Sequence, residues 1–230
     1  MSSEIAPAPS HHPAPEDLLE YATGTGAEWL SLLVACHLTF CERCRREVAM
    51  LDEVGAALMD AAGNDDADDA WVGAAADDAA ARISERTTAD DAGAAGGMPA
   101  QLAGTVPRPL RPYLSEPGGR WRFLAPGIQH VPLQTPDDDV QLRLIKFRAG
   151  FVIPPHGHEG LEWLLILDGD IGDSHTGTRY GRGDVCCSDV DKEHSQDVSP
   201  SEPCIALVAN LGPLIPKTML GRVLAKIVKI

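Results

Sequence analysis

Cysteine and histidine side chains near the N-terminus have the chemistry and the spacing of a zinc site. His37, Cys41 and Cys44 form an H-x3-C-x2-C triplet. On a continuous α-helix, residues four and seven positions apart lie on one face, so the three side chains are expected to project together. Two thiolates and one imidazole suit tetrahedral Zn²⁺, and a closed structural site needs a fourth ligand. His12 is the preferred candidate and His11 the alternative, because the preceding segment can fold back across the helix.

A second set of candidate ligands lies in the C-terminal half, where glycines punctuate a β pattern. His156 and His158 alternate along a predicted strand, so both are expected to face the same side. Glu162 follows at the start of the next strand, and His194 is the candidate fourth ligand. Three imidazoles and one carboxylate favour Zn²⁺, with Fe²⁺, Mn²⁺ or Ni²⁺ as alternatives. The competing interpretation is a metal-free barrel whose histidines are satisfied by hydrogen bonds.

The N-terminal ligands fall in a region whose apolar spacing predicts helices. Helical periodicity runs over residues 16–21, 26–44 and 45–62. From about residue 65 to 107 the composition shifts to Ala, Asp and Gly, which is typical of a linker. A short amphipathic helix near residues 70–85 is expected within it, and that helix would need a partner to pack on.

From Arg108 onward, short apolar segments separated by glycine turns predict an all-β domain. Strands are expected over residues 140–147, 162–167 and 204–209. Regular short strands with turn signals are typical of a sandwich or a barrel.

We therefore predict two domains joined by a linker. Residues 1–64 form an all-α zinc-binding helical bundle, residues 65–107 an acidic Ala/Gly-rich linker, and residues 108–230 an all-β domain.

Charge and composition exclude several classes of function. The 230-residue chain has a formal net charge of −15, which argues against direct binding to DNA or RNA, because neutralising phosphates needs clustered Lys and Arg. An acidic chain suits a basic protein partner. No run approaches the roughly 20 apolar residues of a membrane span, and residues 1–15 lack the pattern of a secretory signal. The cysteine spacing does not resemble a secreted disulfide framework, so we expect a reduced, cytoplasmic protein.

The N-terminal motif resembles the zinc-binding anti-sigma domain, whose hallmark is H-x3-C-x2-C after an upstream histidine. The resemblance implies that His12, His37, Cys41 and Cys44 bind zinc. It also implies a helical module that clasps an extracytoplasmic-function sigma factor and blocks its access to RNA polymerase.

The segment from Gly150 to Gly169 resembles the first cupin motif, G-x5-H-x-H-x3-4-E-x6-G, at every defined position. The second cupin motif is weaker. Gly183 and His194 keep its spacing, but Asp189 and Asp191 replace the usual Pro and Gly. The resemblance implies a cupin fold, which is a double-stranded β-helix or jelly-roll barrel, around a divalent metal.

Together the two motifs, in this order, resemble the ChrR family of cupin-type anti-sigma factors. The resemblance implies that the helical module sequesters a sigma factor, and that the cupin releases it in response to an oxidative or small-molecule signal. The alternative function is a mononuclear metal cupin enzyme, dioxygenase-like, acting on a small molecule. A third is a scaffold or small-molecule binder with a purely structural zinc. Cupins often pair through sheet edges, so a homodimer is also considered.

Overall fold

Helices precede a two-sheet β structure in the computed structural model, which describes residues 7–62, 104–114, 120–137, 139–188, 193–212 and 214–216. The expected helix near residues 70–85 lies outside the described residues. So does the predicted linker, apart from its last four positions. Among the described residues, no helix combines the length and apolar character that a membrane crossing requires.

Three helices fill the described N-terminal region: α1 (Pro15–Thr23), α2 (Glu28–Leu38) and α3 (Glu42–Ala62). Pro15 occupies the first turn of α1, where its missing N–H leaves no intrahelical bond unmade. Gly24, at a φ of 67°, ends α1 in the left-handed conformation that glycine adopts without strain. The predicted helical region is confirmed, although its segments are divided differently.

The prediction of one continuous helix over residues 26–44 is wrong, because the chain turns between α2 and α3. The Thr39 hydroxyl donates to the Cys36 carbonyl (2.7 Å), which satisfies an acceptor at the end of α2. The backbone N–H of Cys44 donates to the Cys41 sulfur (3.4 Å), in the manner of a side-chain cap at the start of α3. The H-x3-C-x2-C motif therefore crosses a helix boundary.

A short 3₁₀ turn (Arg108–Leu110) and α4 (Arg111–Leu114) lead into the β structure. In chain order the strands of the described residues are β1 (Arg122–Ala125), β2 (Ile128–Leu133), β3 (Gln141–Phe147), β4 (Val152–His158), β5 (Glu162–Asp168), β6 (Ile171–Asp173), β7 (Arg179–Tyr180), β8 (Val185–Ser188), β9 (His194–Val198), β10 (Cys204–Asn210) and β11 (Leu214–Pro216). The three predicted strands are confirmed as β3, β5 and β10, each within one residue at either end.

The strands form two antiparallel sheets. One has the order β1-β2-β3-β10-β5-β8 and the other the order β11-β4-β9-β6-β7. The central strands β5 and β10 of the first sheet are buried on both faces, because the helices cover their outer side. Along β5, Leu164 and Ile166 belong to the core between the sheets, whereas Leu165 and Leu167 belong to the core shared with the helices. This is why β5 is a continuous apolar run rather than an alternating one.

The helices and the outer face of the first sheet share one hydrophobic core. The rings of Trp29 in α2 and Trp163 in β5 meet edge to face, with centroids 6.1 Å apart. The backbone N–H of Trp29 donates to an Asp137 carboxylate oxygen (3.0 Å), and the Tyr113 hydroxyl donates to Glu28 (2.6 Å). The helical region is thus packed directly on the barrel.

Candidate metal centres

Four side chains converge where α2 gives way to α3, and we call this group the N-terminal centre. Ligand atoms of His12, His37, Cys41 and Cys44 all lie within 4.8 Å of one another. The Cys41 and Cys44 sulfurs are 3.4 and 3.5 Å from His12 Nδ1, and His37 Nε2 is 3.3 Å from the Cys44 sulfur. Around tetrahedral zinc, bonds of about 2.3 Å to sulfur and about 2.0 Å to nitrogen place neighbouring ligand atoms about 3.5 Å apart. The donor set and the spacing fit Zn²⁺.

The helix boundary positions three of these side chains. His37 lies in the last turn of α2, Cys41 directly precedes α3 and Cys44 lies in its first turn. The N-terminus of a helix stabilises negative charge, so the start of α3 would favour the thiolate form once a metal has displaced the proton. His12 comes from the segment before α1. His11, the alternative ligand, turns away: its Nδ1 lies 3.4 Å from an Asp184 carboxylate oxygen.

Burial prepares the imidazoles of this centre for a metal. It lowers the pKa of His37 to about 4, and burial followed by the nearby Arg43 charge lowers the pKa of His12. Both rings are therefore neutral near pH 7, which is the form that binds a metal. Burial raises the pKa of Cys44 to about 12, so metal binding there must displace a proton.

A backbone carbonyl of the barrel orients His37. His37 Nδ1 lies 2.8 Å from the Gly183 carbonyl oxygen, which can only accept, so the proton is on Nδ1 and Nε2 is left for the ligand cluster. Gly183 has a φ of 88°, and a Cβ there would come within 2.6 Å of Pro9 and 2.8 Å of Phe40. The sequence presents Gly183 only as a cupin-motif glycine. Its contact with the N-terminal centre depends on the packing of helix against barrel.

A second cluster lies inside the barrel, and we call it the cupin centre. Ligand atoms of His156 on β4, Glu162 on β5 and His194 on β9 lie within 4.8 Å of one another, and all three side chains are buried. His194 Nε2 is 3.8 Å from a Glu162 carboxylate oxygen. The backbone of His158 is part of β4, but its side chain lies outside the described part of the structure. Asp189 and Asp191 of the second cupin motif also lie outside it.

The carboxylate of Asp173, which the sequence analysis did not assign to the site, orients His194. His194 Nδ1 donates to Asp173 (2.6 Å), which also accepts from the backbone N–H groups of His175 (2.8 Å) and Thr176 (3.0 Å). Burial alone would raise the pKa of Asp173, but these hydrogen bonds lower it overall, which keeps the carboxylate ionised. A histidine held by a carboxylate is a common arrangement behind a metal ligand. The sequence around Asp173 indicates only a turn, because this Asp is followed by Ser-His-Thr-Gly.

The other two side chains of the cupin centre are also held in place. Asn210 on β10 donates its amide to Glu162 (3.0 Å), and His156 Nδ1 donates to the Pro154 carbonyl (2.9 Å). Burial lowers the pKa of His156 to about 4 and raises the pKa of Glu162. A neutral imidazole is ready to bind a metal, and a cation would offset the cost of an ionised, buried Glu162. Imidazole and carboxylate donors fit Zn²⁺ and the neighbouring transition metals.

A two-sheet antiparallel barrel with inward-facing His and Glu side chains defines a cupin-like protein, and residues 118–214 match the family model described as ChrR Cupin-like domain. Over 207 residues the chain is 34% identical to the anti-sigma-E factor ChrR of Cereibacter sphaeroides, covering 89% of this chain and 91% of that protein. This chain belongs to the ChrR family.

A solved structure is similar over most of the chain. A chain in the crystal structure of Rhodobacter sphaeroides SigE in complex with the anti-sigma ChrR matches with a TM-score of 0.67 and 30% identity. The match covers 87% of this chain and 98% of that one. The predicted family, and the predicted order of helices followed by a cupin, are therefore confirmed.

Proposed function

We propose that this protein is an anti-sigma factor. Its helical region sequesters an extracytoplasmic-function sigma factor, and its cupin controls release in response to an oxidative or small-molecule signal. The observation that carries the proposal is the 34% identity to an anti-sigma-E factor over 89% of the chain, a span that includes both helices and barrel. The similar chain in a SigE–ChrR complex supports the same kind of partner.

One side of α3 supports a protein partner for the helical region. Large apolar side chains are exposed there at four-residue spacing, and we call this set the α3 stripe: Met50, Val54 and Leu58. Exposed apolar side chains grouped along a helix are typical of a docking surface. The net charge of −15 suits a basic partner, and complementary charge speeds encounter more than it adds affinity.

We further infer that both centres hold metals. The N-terminal centre, with two thiolates and two imidazoles, would hold zinc that fixes the chain before α1 to the α2–α3 boundary. His156, Glu162 and His194, joined by His158, would hold a divalent metal, with zinc favoured. Free cysteines in both regions suit the reducing cytoplasm, where a sigma factor also acts.

Release requires that the signal stabilise the free protein over the sigma-bound complex. Binding of a small molecule at the cupin centre, oxidation of a ligand or loss of the metal would each supply such a difference. The family relationship favours this regulatory role over turnover of a substrate by the cupin.

The test uses the purified full-length chain with purified extracytoplasmic-function sigma factors of the same organism. We expect a stable complex in gel filtration and inhibition of sigma-dependent transcription in a reconstituted assay. A variant with Cys41 and Cys44 replaced by serine should lose both effects while keeping metal in the cupin centre. If none of the sigma factors is bound or inhibited by the wild-type chain, the proposal fails.

A further inference from the structure

One loop of the barrel, residues 181–184 between β7 and β8, contacts the N-terminal centre. As described above, the Gly183 carbonyl holds the ring of His37. The next residue, Asp184, holds the segment that carries His12, which we call the strap (residues 9–12). Two of the four candidate ligands are thus positioned by consecutive residues of the barrel.

Asp184 is a buried carboxylate whose two oxygens accept hydrogen bonds mainly from backbone N–H groups. Its Oδ1 accepts from Ser10 (2.6 Å) and His11 (2.9 Å), and its Oδ2 accepts from Gly181 (2.8 Å). It is 5% exposed, so these bonds form away from water. Hydrogen bonds from backbone N–H to an ionised carboxylate are among the stronger ones in proteins. The carboxylate therefore ties the strap to its own loop.

The strap also pairs with the edge of a sheet. β8 is the last strand of the six-stranded sheet, and the Val185 N–H donates to the His11 carbonyl (3.1 Å). The strap also lies close against the loop: a Cβ added to Gly183 would come within 2.6 Å of Pro9. A displacement of the loop would consequently displace the strap and, with it, His12.

The far end of β8 reaches the cupin centre. Ser188 is paired in register with Glu162, one of the ligands of that centre. From Val185 to Ser188 the strand advances by about 10 Å, at roughly 3.3 Å per residue. One short strand and a set of hydrogen bonds therefore connect the two centres.

We propose that Asp184 is a positioning residue for the N-terminal centre, and that β8 transmits the state of the cupin centre to the strap. A change at Glu162 would shift β8, loosen the strap on its loop and weaken the hold of His12 on the metal. This inference deepens the proposed function, since it names the connection between sensing and release. Its test on metal retention needs no sigma factor.

The experiment measures metal retention by the full-length protein loaded with Co²⁺. Sulfur-to-cobalt charge-transfer absorption reports the N-terminal centre selectively, because the described ligands of the cupin centre are imidazole and carboxylate. We expect D184N to lose this absorption to a chelator about 10- to 100-fold faster than wild type, the size typical of contacts behind a metal ligand. Retention equal to wild type would overturn the proposal.

Two further variants separate positioning from general damage. D137N removes a carboxylate that also accepts a helix N–H across the same interface, but at Trp29, and it should leave cobalt retention unchanged. S10P removes both Ser10 donors to Asp184, the backbone N–H and the hydroxyl, and changes no residue of the barrel. It should shift retention in the same direction as D184N. If D137N and D184N behave alike, Asp184 serves only to hold the regions together.

Transmission through β8 is tested with E162Q in two backgrounds. In the otherwise wild-type chain E162Q should change cobalt loss from the N-terminal centre, whereas in D184N it should add nothing. Independent, additive effects would contradict transmission through Asp184. A wild-type chain that binds no sigma factor would remove the proposed function and leave these metal measurements standing, so the two failures can be told apart.

Discussion

The two candidate metal centres differ in which part of the molecule holds them together. The contacts found behind the cupin centre, from Asp173, Asn210 and the Pro154 carbonyl, all belong to the barrel. The N-terminal centre instead contacts the barrel at two points: Gly183 holds the ring of the candidate ligand His37, and Asp184 holds the backbone next to His12. A change within the barrel can therefore reach the N-terminal centre through Gly183 and Asp184, which is the connection that a sensor and an effector require.

The centres also differ in chemistry. Two cysteines and two histidines form a closed, soft site that suits structural zinc. Imidazole and carboxylate donors form a harder site that accepts several divalent metals. We therefore expect the N-terminal centre to retain its metal and the cupin centre to exchange more easily, as befits a site open to a signal.

The largest effect should come from removing the thiolates. Replacing Cys41 and Cys44 by serine should abolish metal at the N-terminal centre and lower stability, because bound structural zinc contributes directly to folding free energy. Elemental analysis of the purified variant should find the cupin metal retained. Loss of both metals would show that the barrel also depends on the helices, which would contradict this difference between the two centres.

The shared core gives the next prediction. Leu33 in α2 is fully buried in the core that also contains Leu165 of β5. Leu33→Ala should lower the free energy of unfolding by about 2–5 kcal/mol, the usual cost of a cavity in a packed core. Chemical denaturation followed by far-ultraviolet circular dichroism and by Trp fluorescence should give one coincident transition.

Two separated transitions would contradict this expectation, because they would mean that helices and barrel unfold independently. Leu19→Ala in α1 is the matched control, since Leu19 is an exposed helix residue of the same size. Its effect should be small by comparison.

A substitution of Asp173 tests the statement that the cupin centre is held by residues of the barrel. Asp173→Asn keeps the size of the side chain but removes the charge that orients His194, so the cupin centre should bind its metal about 10- to 100-fold more weakly. The N-terminal centre should weaken less than the cupin centre, because Asp173 lies on β6 and only the part of the change that reaches β8 is passed on to the strap. Competition with a calibrated chelator measures the affinity, and cobalt absorption reports the thiolate site in the same sample. Equal weakening of metal binding at both centres would contradict the claim that different parts of the molecule hold them.

Local spacing predicts both sets of candidate ligands, whereas the groups that surround them could not be predicted. H-x3-C-x2-C and the first cupin motif place candidate ligands within short segments. The turn between α2 and α3, not one continuous helix, brings His37, Cys41 and Cys44 together. The turn between α2 and α3 was missed because the apolar period continues through Thr39. Asp173 and Asp184 could not be assigned, since their partners are distant in sequence and meet them only after the sheets and helices pack.

The smallest effect on stability, and the sharpest test of the helical surface, should come from the α3 stripe. Leu58 is 65% exposed, so Leu58→Gln should change the free energy of unfolding by no more than about 0.5 kcal/mol. If this stripe docks the sigma factor, the same change should weaken the complex by about tenfold or more, as loss of a central apolar contact does.

Ala56→Gln is the matched control for that measurement. Ala56 is also exposed, but it precedes Leu58 by two residues and so lies on nearly the opposite side of α3. Titration calorimetry with the purified sigma factor should show weakening for Leu58→Gln and wild-type affinity for Ala56→Gln. Equal affinities for both would place the sigma-binding surface elsewhere on the helices, because a docked partner cannot leave an apolar residue at its centre without consequence.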